Sequence, residues 1–102
     1  MDKEKVLSSF KSRVLQIDQD AIIILYGSRA RGDNRTDSDW DFLILTNLPE
    51  NIRTKSLFRD KVFDAELELE EPISTIIHNK STWKEYEITP LYQNILKEGI
   101  TI

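Results

Sequence analysis

Two aspartates separated by one residue, Asp39 and Asp41, carry the strongest chemical signal in this chain. They open the apolar run Phe42–Leu45, whose composition is typical of a strand, so both side chains are expected on the same face. Like charges held this close destabilise one another unless a cation lies between them, and carboxylate oxygens suit Mg²⁺ or Mn²⁺. The spacing therefore predicts a metal site at Asp39 and Asp41.

A second polar site follows an earlier apolar run, Ala21–Tyr26, which is typical of a strand buried on both faces. The run stops at Gly27, where glycine allows a sharp turn and the close approach of a ligand to the main chain. Ser28 offers a hydroxyl and a backbone N–H to an anion, and a short helix beginning there would favour phosphate. Arg29 and Arg31 add positive charge nearby, so we predict a phosphate cradle at this turn.

Together the two sites suit a nucleoside triphosphate with its divalent ions. Gly27-Ser28 is followed by ten residues and then by Asp39-x-Asp41, with Ala30-Arg31-Gly32 inside the gap. This pattern resembles the minimal nucleotidyltransferases of the DNA polymerase β superfamily, closely over residues 25–45 and in element order over most of the chain. The resemblance implies transfer of a nucleoside monophosphate, usually adenylyl from ATP, with release of pyrophosphate and the help of two metal ions.

The resemblance also implies roles for single residues. Gly27 and Ser28 would contact the triphosphate, while Asp39 and Asp41 would hold the catalytic metals, Mg²⁺ or Mn²⁺. The antitoxin members of two-gene systems in this family further imply a partner protein, a HEPN-type toxin, with a hydroxyl that accepts AMP.

One feature departs from the family pattern. Members active in transfer carry a third carboxylate on the next strand, where it helps to hold the metal and to deprotonate the attacking hydroxyl. The best candidate for that strand here, Ile73–His78, contains no acid. The alternative function is therefore a catalytically impaired antitoxin module that binds a nucleotide and a partner.

The preceding segment, residues 51–71, has two interpretations. From Phe63 to Leu69 apolar and acidic residues alternate, which is the period of a half-buried strand. Its Ala, Glu, Leu, Lys and Arg content, the following Pro72 and the crossover that parallel strands require favour a helix, which we predict. In the strand interpretation, or with an acid from a partner chain, the third carboxylate could still be supplied; the candidates in this chain are Glu66, Glu68 and Glu70.

The remaining segments predict the scaffold. Apolar residues at helical spacing mark a first amphipathic helix, and Thr89-Pro90 begins a last helix that runs to Glu98, with Gly99 as its left-handed stop. The predicted fold class is α/β (α+β), a small mixed β-sheet of three or more strands packed against helices in the order α-β-β-α-β-α-α. This is the polymerase β-like nucleotidyltransferase core that the resemblance implies.

Length and charge bound the function further. The 102 residues predict a single minimal nucleotidyltransferase domain, 1–102, without an added domain for recognising the acceptor. The net charge of −4 argues against polymeric DNA as a partner. The sequence has no cysteine and no apolar stretch that could cross a membrane, so we expect a cytoplasmic protein. It leaves open the acceptor, the nucleotide base and whether two copies form a homodimer.

Overall fold

The computed structural model describes residues 2–102, in which helices and strands alternate as far as the third strand and two helices then precede the last strand. In order they are α1 (Lys3–Ile17), β1 (Ile22–Tyr26), α2 (Ser28–Arg31), β2 (Trp40–Thr46), α3 (Ile52–Leu69), β3 (Ile73–Asn79), a 3-10 helix (Trp83–Tyr86), α4 (Pro90–Glu98) and β4 (Ile100–Thr101). The predicted order is confirmed, the short helix considered at Ser28 is present as α2, and the C-terminal strand β4 is an addition. No helix within residues 2–102 combines the length and the apolar character needed to cross a membrane.

The strands of the described chain form a four-stranded mixed sheet in the order β3-β2-β1-β4. β1 pairs antiparallel with both β2 and β4, while β2 and β3 run parallel. Parallel neighbours need a long crossover, which the 18 residues of α3 provide. The predicted helix is thus confirmed and the strand interpretation is wrong. Burial in α3 follows a helical stripe that includes Phe58, Val62 and Leu69, while Phe63 and Leu67 are exposed.

Two hydrophobic layers cover opposite faces of the sheet. On the first face, α1 and α3 pack against alternate residues of β1 and β2, which include Trp40 and Phe42. The ring of Phe10 stacks on that of Phe42 with their centroids 4.0 Å apart. On the second face, Leu43 packs against Ile95 of α4. Side chains alternate along a strand, so successive residues of β2 point to opposite faces of the sheet.

The last helix begins as predicted and ends differently. The hydroxyl oxygen of Thr89 accepts a hydrogen bond from the Tyr92 N–H at 3.2 Å and caps the N-terminus of α4. The predicted left-handed conformation of Gly99 is wrong, because its φ is −65° and its backbone is extended. A Cβ atom there would lie 2.5 Å from the Ile95 carbonyl oxygen and 2.7 Å from Cγ2 of Ile24. Glycine is therefore required for the close approach of α4 to β1.

A carboxylate fastens the turn after α1 to the end of β2. Asp18 Oδ2 accepts hydrogen bonds from the Thr46 hydroxyl at 2.6 Å and the Asn47 N–H at 2.9 Å. Burial alone raises the pKa of Asp18, but these two hydrogen bonds, a third from the Asp20 N–H and the charge of Lys80 outweigh it and bring the pKa below the ordinary value of 3.8. The ionised form therefore stabilises the fold at neutral pH.

We expect Asp18→Asn to lower the free energy of unfolding by about 1 kcal/mol at pH 7, the net contribution of a typical hydrogen bond, because asparagine keeps an oxygen acceptor but loses the charge. A depressed pKa contributes stability above the unfolded value and loses it as the pH falls through the folded value. Urea denaturation between pH 7 and pH 3 should therefore show the two proteins converging at acid pH. Asp20→Asn, in the same turn, is the control, and a difference independent of pH would contradict the assignment.

Candidate functional site

The hairpin of β1 and β2 brings the glycine turn against the acidic pair. Tyr26, the last residue of β1, pairs with Asp41, so Gly27 follows directly beside that carboxylate. A Cβ atom on Gly27 would lie 2.4 Å from Oδ2 of Asp41, and the φ of Gly27 is +76°. The turn therefore needs glycine both for its backbone conformation and for the space that the carboxylate fills.

The two aspartates lie at the beginning of β2. Asp39 directly precedes the strand and is exposed, whereas Asp41 is half-buried within it. Trp40, between them, points the other way and is buried in the first hydrophobic layer, as strand alternation requires. Burial raises the pKa of Asp41, and the charge of Asp39 raises it further, while Arg31 acts in the opposite direction. The two acids thus share one small region whose electrostatics favour a cation.

The predicted short helix is confirmed as α2, which begins at Ser28. The carbonyl oxygen of Gly27 accepts the N–H groups of Ala30 and Arg31, both at 3.0 Å, and so starts the helix. Gly32 ends it in the left-handed region with a φ of +86°. Ser28 is half-buried at the N-terminus of α2, next to Gly27.

Arg29 is turned toward the loop that leads to the acidic pair. Its guanidinium donates hydrogen bonds to the Ser38 carbonyl oxygen from Nε at 3.3 Å and from Nη2 at 3.0 Å. It also lies 4.4 Å from the ring centroid of Trp40 and 3.8 Å from Oε2 of Glu71. With its side chain only 12% exposed, Arg29 is committed to holding the backbone next to Asp39.

Arg31 faces a carboxylate that the sequence analysis did not select. Its Nη1 donates to Glu98 Oε2 at 2.9 Å, and its Nε donates to Asp33 Oδ2 at 3.1 Å. The other oxygen of Glu98, Oε1, accepts the Gly27 N–H at 3.1 Å. The Arg31 guanidinium holds the pKa of Glu98 below its ordinary value; burial opposes this and the Gly27 N–H assists it. A glutamate in the last turn of a helix, where the dipole disfavours it, was the available signal.

β3, the strand next to β2, carries a serine at the position where the sequence analysis looked for a third carboxylate. β3 runs parallel to β2, and Ser74 is the partner of Asp41 in that register. Residues paired in this way project from the same face, so Ser74 lies beside Asp41 and is exposed. Within residues 2–102, no three Asp, Glu, His or Cys side chains are grouped so that they could hold a metal.

Of the three glutamates considered as substitutes, Glu66 and Glu68 belong to α3 and Glu70 directly follows it; α3 packs on the face of the sheet that carries Trp40. Glu66 accepts the backbone N–H of Ile73 at 3.1 Å, and Glu68 forms an ion pair with Arg13. Glu70 follows the last residue of α3 in the left-handed region, with a φ of 54°. Because the segment is a helix, none of the three is carried to the side of Asp41.

Comparison with known proteins gives a family and a fold. A family model described as the nucleotidyltransferase domain matches residues 4–102. Among curated proteins, none matches this chain. A solved structure provisionally described as a minimal nucleotidyltransferase is similar, with a TM-score of 0.66 and 24% identity over 100% of this chain and 97% of the other. This similarity confirms the predicted fold.

Two chains from toxin-antitoxin structures share the fold as well. One, from a toxin-antitoxin crystal structure with AMP-PNP, has a TM-score of 0.59 and 17% identity over 89% of this chain and 70% of its own. The other, from a point variant of the toxin-antitoxin complex MntA-HpeT, has a TM-score of 0.60 and 16% identity. That match covers 100% of this chain and 72% of the other.

Proposed function

This chain belongs to the nucleotidyltransferase domain family, and we propose that it transfers AMP from ATP to a hydroxyl group of a partner protein. The observation that carries the proposal is the contact between Gly27 and the carboxylate of Asp41. This contact brings the glycine turn, where we predict the phosphates, against the acidic pair. The neighbour with AMP-PNP supports a nucleoside triphosphate as substrate. The toxin-antitoxin neighbours support a partner protein, for which we propose a HEPN-type toxin.

Asp39 and Asp41 are proposed to hold Mg²⁺, or Mn²⁺ in its place. The donor set fits such an ion, since Mg²⁺ in phosphoryl-transfer sites is bound by one or two carboxylates together with substrate phosphates and water. The raised pKa of Asp41 beside Asp39 also fits, because a divalent cation relieves the repulsion that raises it. When bound, the metal would neutralise charge that develops on the phosphates during transfer.

The other predicted residues act on the phosphates directly or through the loop. Gly27 and Ser28 are proposed to offer backbone N–H groups and a hydroxyl, and Arg31 its guanidinium. Arg29 is proposed to act indirectly, because its hydrogen bonds to the Ser38 carbonyl oxygen fix the backbone next to Asp39. These contacts would orient the triphosphate so that the acceptor hydroxyl attacks the α-phosphorus in line with the departing pyrophosphate.

The proposal is tested by incubating the protein with ATP labelled at the α-phosphate, Mg²⁺ and the protein encoded by the neighbouring gene. Label should become covalently attached to the partner and should stay attached after denaturation. The same mixture without Mg²⁺, and a mixture with ATP labelled at the γ-phosphate, should give no labelled protein. Absence of label on the partner in the complete mixture would remove the proposal.

A second candidate function is a binding module that keeps the nucleotide site but lacks turnover. The observation that favours it is Ser74, a residue with no charge at the position beside Asp41. Such a module would neutralise its partner by contact alone. Calorimetry distinguishes the two functions, because a pure binder retains affinity for ATP with Mg²⁺ or for the partner while transferring nothing.

If the missing carboxylate limits the reaction, Ser74→Asp should raise the rate of labelling by roughly a hundredfold, the usual contribution of a positioned acid-base group. Ser74 is exposed, so the larger side chain has room. The matched control is Ser74→Asn, which has the same size but no charge and should leave the rate unchanged. If the wild type labels the partner and Ser74→Asp labels it no faster, the catalytic set is already complete.

A further inference from the structure

The carboxylate of Glu98 accepts hydrogen bonds from two groups that we have proposed to bind phosphate, the Gly27 N–H and the Arg31 guanidinium. Its Oε1 accepts the Gly27 N–H at 3.1 Å, and its Oε2 accepts from Arg31 Nη1 at 2.9 Å. The side chain is only 18% exposed, so these contacts are made in a sheltered position. An anion from the chain itself thus already uses one backbone N–H and one guanidinium of the turn.

The position is electrostatically unfavourable for a glutamate. Glu98 is the last residue of α4, where the helix carbonyl groups concentrate negative charge. Its charge also acts on the acidic pair. Burial and the charge of Asp39 raise the pKa of Asp41 most, and the charge of Glu98 raises it further. Asp33, the second partner of Arg31, adds another negative charge nearby. The Gly27 N–H and Arg31 offset these repulsions.

We propose that Glu98 is an internal competitor for the triphosphate site: its carboxylate occupies the Gly27 N–H and Arg31 until a phosphate displaces it. This inference rests on the proposed function, because it assigns the displaced group to the same site. One N–H cannot donate a full hydrogen bond to both anions, and a phosphate beside Glu98 would meet a like charge at close range. The C-terminal turn of α4 must therefore release the carboxylate when the nucleotide binds.

The experiment measures anion affinity in Glu98→Gln and Glu98→Ala. Glutamine keeps the size of the side chain without its charge, and alanine removes the competing group entirely. The control is Glu87→Gln, an exposed glutamate just before α4. The dissociation constant for ATP with Mg²⁺ is measured by calorimetry. Inorganic pyrophosphate without metal is titrated separately against ¹⁵N-labelled protein and followed at the Gly27 amide.

Both Glu98 variants should bind either ligand about tenfold more tightly than the wild type, with alanine at least as tight as glutamine. Glu87→Gln should match the wild type. Thermal unfolding identifies a Glu98 variant that has lost its fold. If one of the two is unfolded, the inference is judged on the anion affinity of the other.

Unchanged or weaker pyrophosphate binding in the folded Glu98 variants would overturn the inference, and so would the absence of any anion binding. If the folded Glu98 variants bind ATP with Mg²⁺ more weakly than the wild type, Glu98 is a metal ligand or stabilises the site. This result would also overturn the inference. If pyrophosphate binds more tightly while ATP binds to no form of the protein, the competition by Glu98 stands and the proposed nucleotide function falls. The two failures are therefore distinguishable.

Discussion

Asp41→Asn should reduce the transfer of label to the partner by about 10²- to 10³-fold, the cost typical of losing one preorganised electrostatic contact in an active site. Asparagine has nearly the same shape and keeps one oxygen beside Gly27, so the hairpin should stay folded. It lacks the charge that holds a divalent cation, and the half-buried position of Asp41 leaves little room for water to replace that charge. Asp39→Asn should have an effect in the same direction.

Initial labelling rates at saturating ATP and Mg²⁺ provide the measurement, and thermal unfolding verifies that each variant is folded. Asp37→Asn is the matched control, because Asp37 is an exposed aspartate in the same loop, two positions before Asp39. It should retain the wild-type rate. A folded Asp41→Asn protein with the wild-type rate would remove Asp41 from the proposed metal site.

Gly27→Ala should both destabilise the protein and abolish transfer. The φ of +76° is costly for alanine, and the new methyl group would overlap Oδ2 of Asp41, 2.4 Å from the ideal Cβ position. Strain and overlap together should lower the free energy of unfolding by about 2–4 kcal/mol. Relief of the overlap requires Asp41 to move, so activity should be lost even where the variant is folded.

Gly32→Ala is the control without overlap. Gly32 has a φ of +86° and a ψ of 8°, in the left-handed region, which costs alanine less than the φ of +76° and ψ of −160° of Gly27. Nothing lies within 4 Å of the position that its Cβ would take. We expect a loss of only about 1 kcal/mol in the free energy of unfolding and nearly normal labelling. Equal effects of the two variants on activity, measured at a temperature where both are folded, would show that the contact with Asp41 has no part in the reaction.

The parts of this fold that the sequence predicts correctly depend on local patterns. Strand alternation predicts Trp40 on the face opposite to the acids, and Trp40 is indeed buried in the first hydrophobic layer while the Asp41 carboxylate lies against Gly27. In residues 51–71 two local patterns conflict, and the helix wins. Its buried stripe packs against α1 and the sheet, and the parallel pairing of β2 and β3 needs a crossover. The cap at Thr89 is likewise a short-range interaction that the sequence displays directly.

The features that sequence reasoning missed depend on neighbours distant along the chain. Gly99 is extended because the chain passes directly from α4 into β4, which pairs with β1, and it is glycine because Ile24 and the Ile95 carbonyl oxygen leave no room for a Cβ atom. No local pattern contains that information. The charge of Arg29 predicts a phosphate contact, and nothing local to the sequence shows that its guanidinium lies over Trp40. Glu98 reaches the glycine turn only because α4 packs beside β1. Such contacts are tertiary, so spacing in the sequence does not reveal them.

The contact between Gly27 and Glu98 also has a consequence for how the molecule folds. The two residues are 71 positions apart, and closing a loop of that length costs roughly 4 kcal/mol in chain entropy. The β1–β2 hairpin closes a much shorter loop, so its assembly is entropically favoured over the docking of the C-terminal segment. The turn and the acidic pair can therefore meet while Glu98 is still free in the unfolded part of the chain. Substitutions that slow only this docking should leave the rate of hairpin formation unchanged.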